Sequence, residues 1–199
     1  MENKSIFPKI LFAIYIVEFF ILAVNPFDRA VWWAENIPIL LIVTTATILY
    51  FKNIRFSNFA YCCIAFLAFW HTIGGYYTFE LVPFDFFNNL FGFERNMFDR
   101  IGHFSAGFYA YPIAEYLWKT KKVSTIWIAV LFGIFTIGTV AMVYEVIEWA
   151  YAALYGGSAG AAFLGSQGDI WDAQKDMALD LLGAIMISIP FLANYTKKS

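Results

Sequence analysis

Six long apolar stretches, each near the length a helix needs to cross a bilayer, constrain this chain more than any other feature of its sequence. A membrane-spanning helix needs about 20 mainly apolar residues. Backbone groups in lipid must be satisfied within the segment, and the stretches lack the patterning of barrel strands. We therefore predict six transmembrane helices, at approximately 7–24, 37–51, 59–77, 101–118, 124–148 and 173–194.

The composition supports a membrane setting. Of the 199 residues, 61% are hydrophobic and 14% are charged, against about 45–50% and roughly 25% in soluble domains. These values exclude a disordered chain, a basic nucleic-acid binder and a disulfide-rich secreted domain. No linker or repeat divides the chain. We predict one all-α, polytopic membrane domain over residues 1–199, with the lipid bilayer as its partner and no nucleic acid.

Helix-breaking residues set the predicted boundaries. Asn36 and Pro38 are interpreted as the break before the second helix, and Gly156 and Gly157 as a break after the fifth. The first apolar run contains Glu18 and has no clear small-x-small cleavage site. It is therefore predicted to be a retained helix and not a signal peptide.

The distribution of lysine and arginine predicts the orientation, because basic loops stay in the cytoplasm. If the loops alternate sides, one side carries Lys4, Lys9, Lys52, Arg55, Lys119, Lys121, Lys122, Lys197 and Lys198. The other side carries only Arg29, Arg95, Arg100 and Lys175. Both termini are therefore predicted to be cytoplasmic.

Acidic residues gather at the opposite, extracytoplasmic ends of three predicted helices. Asp99 and His103 are four residues apart and share a helix face. The sixth helix repeats this spacing with three aspartates, and the fifth carries two glutamates three residues apart. His71 lies in the outer half of the third helix. The seven carboxylates are Asp99, Glu145, Glu148, Asp169, Asp172, Asp176 and Asp180.

These carboxylates outnumber the neighbouring bases Arg95, Arg100 and Lys175. In a low-dielectric site the repulsion is poorly screened, so the site must take up protons or bind a cation. Carboxylates with histidine suit Mg, Mn, Ca or Zn, and the bases suit an anionic group such as phosphate. A divalent cation is thus the predicted cofactor, and metal-assisted chemistry on a phospholipid or cell-envelope lipid is the predicted reaction class.

We assign candidate roles on this basis. The candidate catalytic residues are His103, Asp99 and Asp176. The candidate metal ligands are Glu145, Glu148, Asp172, Asp176, Asp180 and His103. The candidate substrate-binding residues are Arg100, Lys175, Arg95 and Gln167.

Structural roles are the alternative for several of these residues. Asp169 and Asp172 stand at a helix start, where aspartate caps the helix and complements its dipole. Glu145 and Glu148 could be interfacial, beside aromatic residues of the membrane belt. His103 could be a hydrogen-bonded core histidine. Asp176 and Asp180 lie deeper, where an ionisable group is costly and usually faces a cavity, a partner or a pathway.

Three segments that contain these residues carry a family resemblance. They read RNMFDRIGHF over 95–104, YEVIEW over 144–149 and LGSQGDIWDAQKDM over 164–177. Together they resemble the YjdF-like family of bacterial inner-membrane proteins, whose function is unknown. The resemblance implies a multi-pass protein of the bacterial inner membrane and brings no established reaction.

A fainter similarity reaches the VanZ-like proteins, which are linked to glycopeptide-antibiotic tolerance. It is carried by the segment 99–104, by 145–148 and by 176–183. Here Arg100 stands where that family has lysine, Glu148 where it has glutamine, and Asp180 where it has asparagine. The likeness implies a cell-envelope setting.

The sequence leaves three functions open. The first is a divalent-metal-dependent enzyme that acts on a lipid or cell-envelope substrate. The second is an ion- or proton-coupled transporter, whose buried acids titrate during a cycle. The third is a non-catalytic envelope accessory or binding protein, in which the cluster only fastens helix ends together.

Overall fold

The computed structural model describes residues 5–157, 160 and 164–196, and every regular element among them is helical. The helices are α1 (Phe7–Leu22), α2 (Arg29–Phe51), α3 (Asn58–Tyr77), α4 (Asp85–Phe91), α5 (Phe98–Ala106), α6 (Ala110–Lys119), α7 (Ile126–Tyr155) and α8 (Asp172–Thr196). A 3-10 turn, Gly107–Tyr109, joins α5 to α6. The predicted all-α class is confirmed for this part of the chain.

Four of the described helices are long and apolar enough to cross a bilayer, namely α2, α3, α7 and α8. The chain is therefore a multi-pass membrane protein by length and composition. The first predicted span corresponds to α1, which has only 16 residues. The fourth corresponds to α5, the 3-10 turn and α6 in succession. The count of six spans thus stays a prediction.

Short polar side chains start three of the long helices, because each satisfies backbone N–H groups that have no partner within the helix. Asp28 accepts hydrogen bonds from the N–H groups of Ala30 (2.8 Å) and Val31 (3.0 Å) at the start of α2. Ser57 and Thr125 cap α3 and α7 in the same way.

The predicted start of the second helix at residue 37 is wrong. Asp28 begins α2 eight residues earlier, and both Asn36 and Pro38 lie inside it. The buried Asn36 amide donates to the carbonyl of Trp32 at 2.8 Å, so this polar residue fits the helix interior. Proline is tolerated within membrane helices, where neighbouring groups re-satisfy the freed backbone.

The predicted end of the fifth helix at residue 148 is also too early, because α7 continues to Tyr155. The break itself is where the sequence indicates it. Gly156 and Gly157 have φ angles of 55° and 59°, a left-handed conformation that glycine adopts without steric cost. The two additional turns of α7 carry Glu148 well within the helix.

Because successive long helices run in opposite directions, their ends gather at two ends of the bundle, and these two ends differ in charge. We call the end that holds Glu35, Asp99, Glu145 and Asp176 the acidic end. The other, which we call the basic end, holds Lys9, Lys52, Arg55 and Lys119, where the Lys119 ammonium donates to the Arg55 carbonyl at 3.2 Å. Of the lysines used to predict the orientation, Lys4, Lys197 and Lys198 lie outside the described residues.

The Glu115 carboxylate is a buried acid at the basic end, and its hydrogen bonds hold helices together there. It is fully buried and pairs with Lys119 one turn on. It also accepts hydrogen bonds from the Ser57 N–H (2.6 Å) and hydroxyl (2.7 Å), which ties α6 to the start of α3. Beside it, the buried rings of Tyr111 and Phe191 meet edge to face at 5.3 Å, so apolar packing holds α6 against α8.

Two glycines let α8 cross the α5–α6 junction with the backbones in contact. A side-chain carbon built on Gly107 would collide with the backbone of Asp180 and Ala184, and one built on Gly183 would collide with the carbonyl of Phe104. Such close approach needs residues without a side chain. The crossing matters because it brings the polar face of α8 against that of α5.

Candidate functional site

The acidic end brings the predicted site residues together from three helices. Helix α5 supplies Asp99, Arg100 and His103, and the loop before it supplies Arg95 and Asn96. Helix α7 supplies Glu145 and Glu148 and presents them to the same space. Helix α8 and the segment before it supply the remaining acids, which are Asp169, Asp172, Asp176 and Asp180.

Arg100 joins α5 to α8. Its guanidinium, only 5% exposed, lies 2.6 Å from the Asp172 carboxylate and 3.1 Å from that of Asp169. It also donates to the Asp172 carbonyl at 3.1 Å and pairs with the Asp176 carboxylate. Charge-assisted hydrogen bonds of this kind are the strong ones, so Arg100 fixes the register between the two helices.

Arg95 reaches the same carboxylates from outside the helix. It lies 2.6 Å from the Asp172 carboxylate, 3.5 Å from that of Asp99 and 3.8 Å from that of Asp169. The two guanidiniums of Arg95 and Arg100 therefore share one carboxylate oxygen of Asp172. Both were predicted to hold an anionic head group, and in this arrangement their donors face protein carboxylates.

Lys175 occupies a more open position. Its ammonium lies 2.6 Å from the Asp169 carboxylate, with 56% of the lysine side chain exposed. The hydrogen bond from Lys175, together with one from the Trp171 N–H, lowers the pKa of Asp169 below its usual range. The bond to Trp171 (3.1 Å) gives Asp169 the local capping role considered above, in addition to its ion pairs.

Gln167 fastens two loops to each other. Its side-chain carbonyl accepts from the Asn96 N–H at 2.8 Å, and its amide donates to the Asn96 carbonyl at 3.2 Å. The Asn96 side chain in turn donates to the carbonyls of Glu80 and Val82. The predicted role of Gln167 in binding substrate stays a prediction; its observed hydrogen bonds organise the rim of the site.

His103 stands among four carboxylates and uses its two ring nitrogens differently. Nδ1 lies at hydrogen-bond distance, 3.0 Å, from the Asp180 carboxylate. Nε2 faces Asp99 at 3.6 Å, Asp176 at 3.9 Å and Glu145 at 4.0 Å. These three separations are too long for hydrogen bonds. Nε2 therefore points into a space bounded by carboxylate oxygens.

This space has dimensions that suit a cation. Ligand atoms of Asp99, His103 and Asp176 all lie within 4.8 Å of one another. Around a tetrahedral zinc ion, with bonds near 2.1 Å, ligand atoms are about 3.4 Å apart. The separations from Nε2 need to shorten by only a few tenths of an ångström. Glu145 Oε1 is buried beside them without a hydrogen-bond partner, so a further donor atom is available.

A cavity of about 130 Å³ extends from His103 into the bundle. Its lining includes Glu35, which was not among the predicted site residues. The buried Glu35 carboxylate accepts a hydrogen bond from the Tyr144 hydroxyl at 2.7 Å and lies 3.7 Å from His71 Nε2. Glu148 lines the same cavity. Glu35 was missed because it precedes the predicted start of its helix; the capping residue Asp28 was the signal that could have placed it there.

Fold and site together define a class: an all-helical, multi-pass membrane protein with a buried carboxylate–histidine site at one end of its bundle. The comparison with protein families is consistent with that class. The chain belongs to the family described as predicted membrane protein DUF2238, whose model matches residues 7–198.

A relative from Escherichia coli supports the assignment. The chain is 32% identical over 182 residues to the protein named inner membrane protein YjdF of Escherichia coli strain K12. The match covers 86% of this chain and 82% of that protein. The YjdF-like resemblance is thereby confirmed. No solved structure matches the chain, and the fainter VanZ-like similarity stays a prediction.

Proposed function

We propose that this chain is a bacterial inner-membrane enzyme that binds a divalent cation at Asp99, His103 and Asp176 and acts on a lipid or cell-envelope substrate. The geometry of His103 is the observation that carries the proposal. Asp180 engages Nδ1, and this leaves Nε2 directed at the other carboxylates. A carboxylate that fixes one imidazole nitrogen while the other binds metal is the usual arrangement at metal sites.

The charge balance also favours a bound cation. Eight carboxyl groups meet at this end of the molecule when Glu35 is included, against three permanent cations and two histidines. Arg95 and Arg100 offset Asp169 and Asp172, and each also pairs with one acid beside His103, Arg95 with Asp99 and Arg100 with Asp176. The acids still outnumber these cations, and their mutual repulsion in a low-dielectric site is relieved by a divalent ion.

The protein groups divide into three proposed roles. Asp99, His103 and Asp176 hold the ion, with Glu145 as an additional ligand, while Asp180 orients His103. Arg95 and Arg100 position the aspartates of α8. Lys175, with its ammonium at the open surface, meets the anionic head of the substrate. A divalent cation bound there supplies a Lewis acid for a phosphoryl or carbonyl oxygen and lowers the pKa of a bound water.

A transporter is the alternative candidate, and it requires a polar path from the site to the basic end. Apart from its acids, histidines and tyrosines, the cavity is lined mainly by apolar residues, among them Ile39, Leu67, Ala106 and Ile137. At the basic end, Glu115 is already engaged by Lys119 and Ser57. This arrangement favours a site that is open on one side. An accessory protein in which the cluster only fastens the helix ends together predicts no metal among these carboxylates.

Metal content tests the proposal. The full-length chain is purified in a mild detergent without chelators, and its metals are measured by inductively coupled plasma mass spectrometry. We expect a stoichiometric divalent metal in the wild type and its loss in His103→Ala and Asp176→Asn. Glu94→Gln is the matched control, because Glu94 is an exposed acid of the same end outside the ion-pair network.

Folding of each variant is checked by a single symmetric size-exclusion peak, and Asp99→Asn serves if Asp176→Asn fails to fold. A wild-type protein that contains no metal and is not stabilised by added Mg²⁺, Mn²⁺, Ca²⁺ or Zn²⁺ would refute the proposed cation site. Equal metal in the wild type and all three site variants would place the ion elsewhere, with the same consequence.

A further inference from the structure

A second cavity lies at the basic end of the bundle and has its own set of lining residues. It is a groove of about 570 Å³ between α1, α2 and α3, a volume in the range of about 300–1,000 Å³ found for small-molecule sites. Its walls are mainly apolar. They include Leu11, Phe12, Val43, Ala46, Ile64 and Ala65.

The mouth of this groove is polar and positively charged. Lys9, from the start of α1, and Arg55, from the α2–α3 connection, both line it. The Arg55 guanidinium lies 3.6 Å over the ring of Tyr50 and donates to the Asn53 side chain at 3.2 Å. These contacts hold the guanidinium over the groove.

Two polar atoms in the groove are buried without a hydrogen-bond partner. They are Nη1 of Arg55 and the hydroxyl of Tyr61, whose residue is 8% exposed. A buried donor left unpaired costs free energy, especially on a charged group. Both atoms belong to residues that line the same groove, so a single acceptor bound there could satisfy them.

The positive charge at the mouth has no counter-ion in the part of the chain that the structure describes. Among the described residues, no carboxylate lies within 4.0 Å of Lys9 or Arg55. The nearby acid Glu115 is occupied by Lys119 and by Ser57. Among the described residues, the groove thus combines a cationic mouth that has no ion-pair partner with a mainly apolar interior.

We propose that this groove binds an anionic glycerophospholipid of the bilayer, with the phosphate at Arg55 and Lys9 and an acyl chain along the apolar walls. Arginine suits phosphate because its planar donors bind two oxygens at once, and basic pockets between membrane helices bind anionic head groups. The groove is formed by helices of a membrane protein, so its apolar walls meet lipid chains directly. The proposal is independent of the metal site at the other end.

Native mass spectrometry of the full-length chain tests this lipid site. The probes are phosphatidylglycerol and, as the zwitterionic comparison, phosphatidylcholine. We expect the wild type to retain phosphatidylglycerol in preference to phosphatidylcholine. Arg55→Gln lowers that retention about tenfold, the loss expected for one charge-assisted hydrogen bond. Lys52→Gln, which removes an exposed lysine of the same end that does not line the groove, leaves it unchanged.

Ala46→Trp tests the acyl-chain half of the site, since it fills the apolar wall without changing charge. We expect it to abolish retention of phosphatidylglycerol, while sn-glycerol 3-phosphate, the head group alone, is not retained by any form. Equal retention of the two lipids by the wild type would overturn the proposal. So would unchanged retention in both Arg55→Gln and Ala46→Trp, with each variant monodisperse.

Discussion

At the scale of single residues, the two nitrogens of His103 govern what the acidic end can do. Nδ1 is occupied by Asp180, and Nε2 has carboxylate oxygens at 3.6–4.0 Å. A metal ion would sit between Nε2 and these oxygens. A proton on Nε2 would instead make His103 a counter-charge for them. The same arrangement of ring and carboxylates fits a metal ion or a proton at Nε2. Which of the two is bound there distinguishes a metal-dependent enzyme from a structural cluster.

Arg100 and Lys175 provide a matched pair of predictions at this scale. Arg100→Gln should lower the free energy of unfolding by about 3–5 kcal/mol, since removing one partner leaves buried carboxylates uncompensated. Lys175→Gln should change it little, because the lysine is mostly exposed and screened by solvent. Thermal unfolding of the detergent-solubilised variants measures both. Equal effects of the two substitutions would mean that Arg100 does not hold α5 to α8.

At the scale of elements, the two glycines of the α5–α8 crossing place the site. Gly183 meets the carbonyl of Phe104, a backbone atom that cannot move aside. Gly138 of α7 instead faces the end of the flexible Leu181 side chain at 3.0 Å. Gly183 and Gly138 both lie in helix interiors, so substitution by alanine gains the same intrinsic helix propensity at each position. Only the packing around the two residues differs.

We therefore predict opposite outcomes for two identical substitutions. Gly183→Ala should destabilise the protein by about 1–3 kcal/mol or more, because the backbones must separate, and it should displace Asp180 from His103. Gly138→Ala should be neutral or slightly stabilising. Thermal unfolding together with bound-metal content measures both effects. A Gly183→Ala protein as stable as Gly138→Ala would contradict the close crossing.

The same elements show what could be predicted from sequence. The i, i+4 spacing was sufficient to place Asp99 and His103 on one face, and to align Asp176 with Asp180. Helix periodicity says nothing about contacts between residues 77 positions apart, such as His103 and Asp180. Helix periodicity also failed to give the start of α2. The helix begins after the cap at Asp28, and Asn36 and Pro38, which were interpreted as a break, lie inside it. Glu35 was missed because it lies before the predicted start.

At the scale of the whole molecule, charge is separated between the two ends of the bundle. Bases such as Arg55 and Lys119 lie together at one end, and the acids of the candidate site lie with Arg95 and Arg100 at the other. We propose six spans in which α1 and the α5–α6 succession also cross the membrane, with the basic end in the cytoplasm according to the positive-inside rule. Alternation along the chain could predict this separation, because each loop contributes its charge to one side.

Cysteine labelling tests the orientation. Glu94 and Lys122 are exposed in loops at opposite ends, and the native cysteines Cys62 and Cys63 are free thiols that alanine replaces in the background. With a membrane-impermeant thiol reagent on spheroplasts, Glu94→Cys should react and Lys122→Cys should react only after lysis. The reverse pattern would mean that the basic end faces away from the cytoplasm. Labelling of both residues from outside would contradict the prediction that the two ends lie on opposite sides of the membrane.

Electron spin echo spectroscopy tests whether a cation binds to His103. The chain contains only two histidines, His71 and His103. When the protein, purified without a histidine tag, is loaded with Mn²⁺ as the probe, we predict nitrogen modulation from a coordinated imidazole. The modulation should persist in His71→Gln and vanish in His103→Gln. Failure of Mn²⁺ to bind, or bound Mn²⁺ without nitrogen modulation in the wild type, would contradict the account.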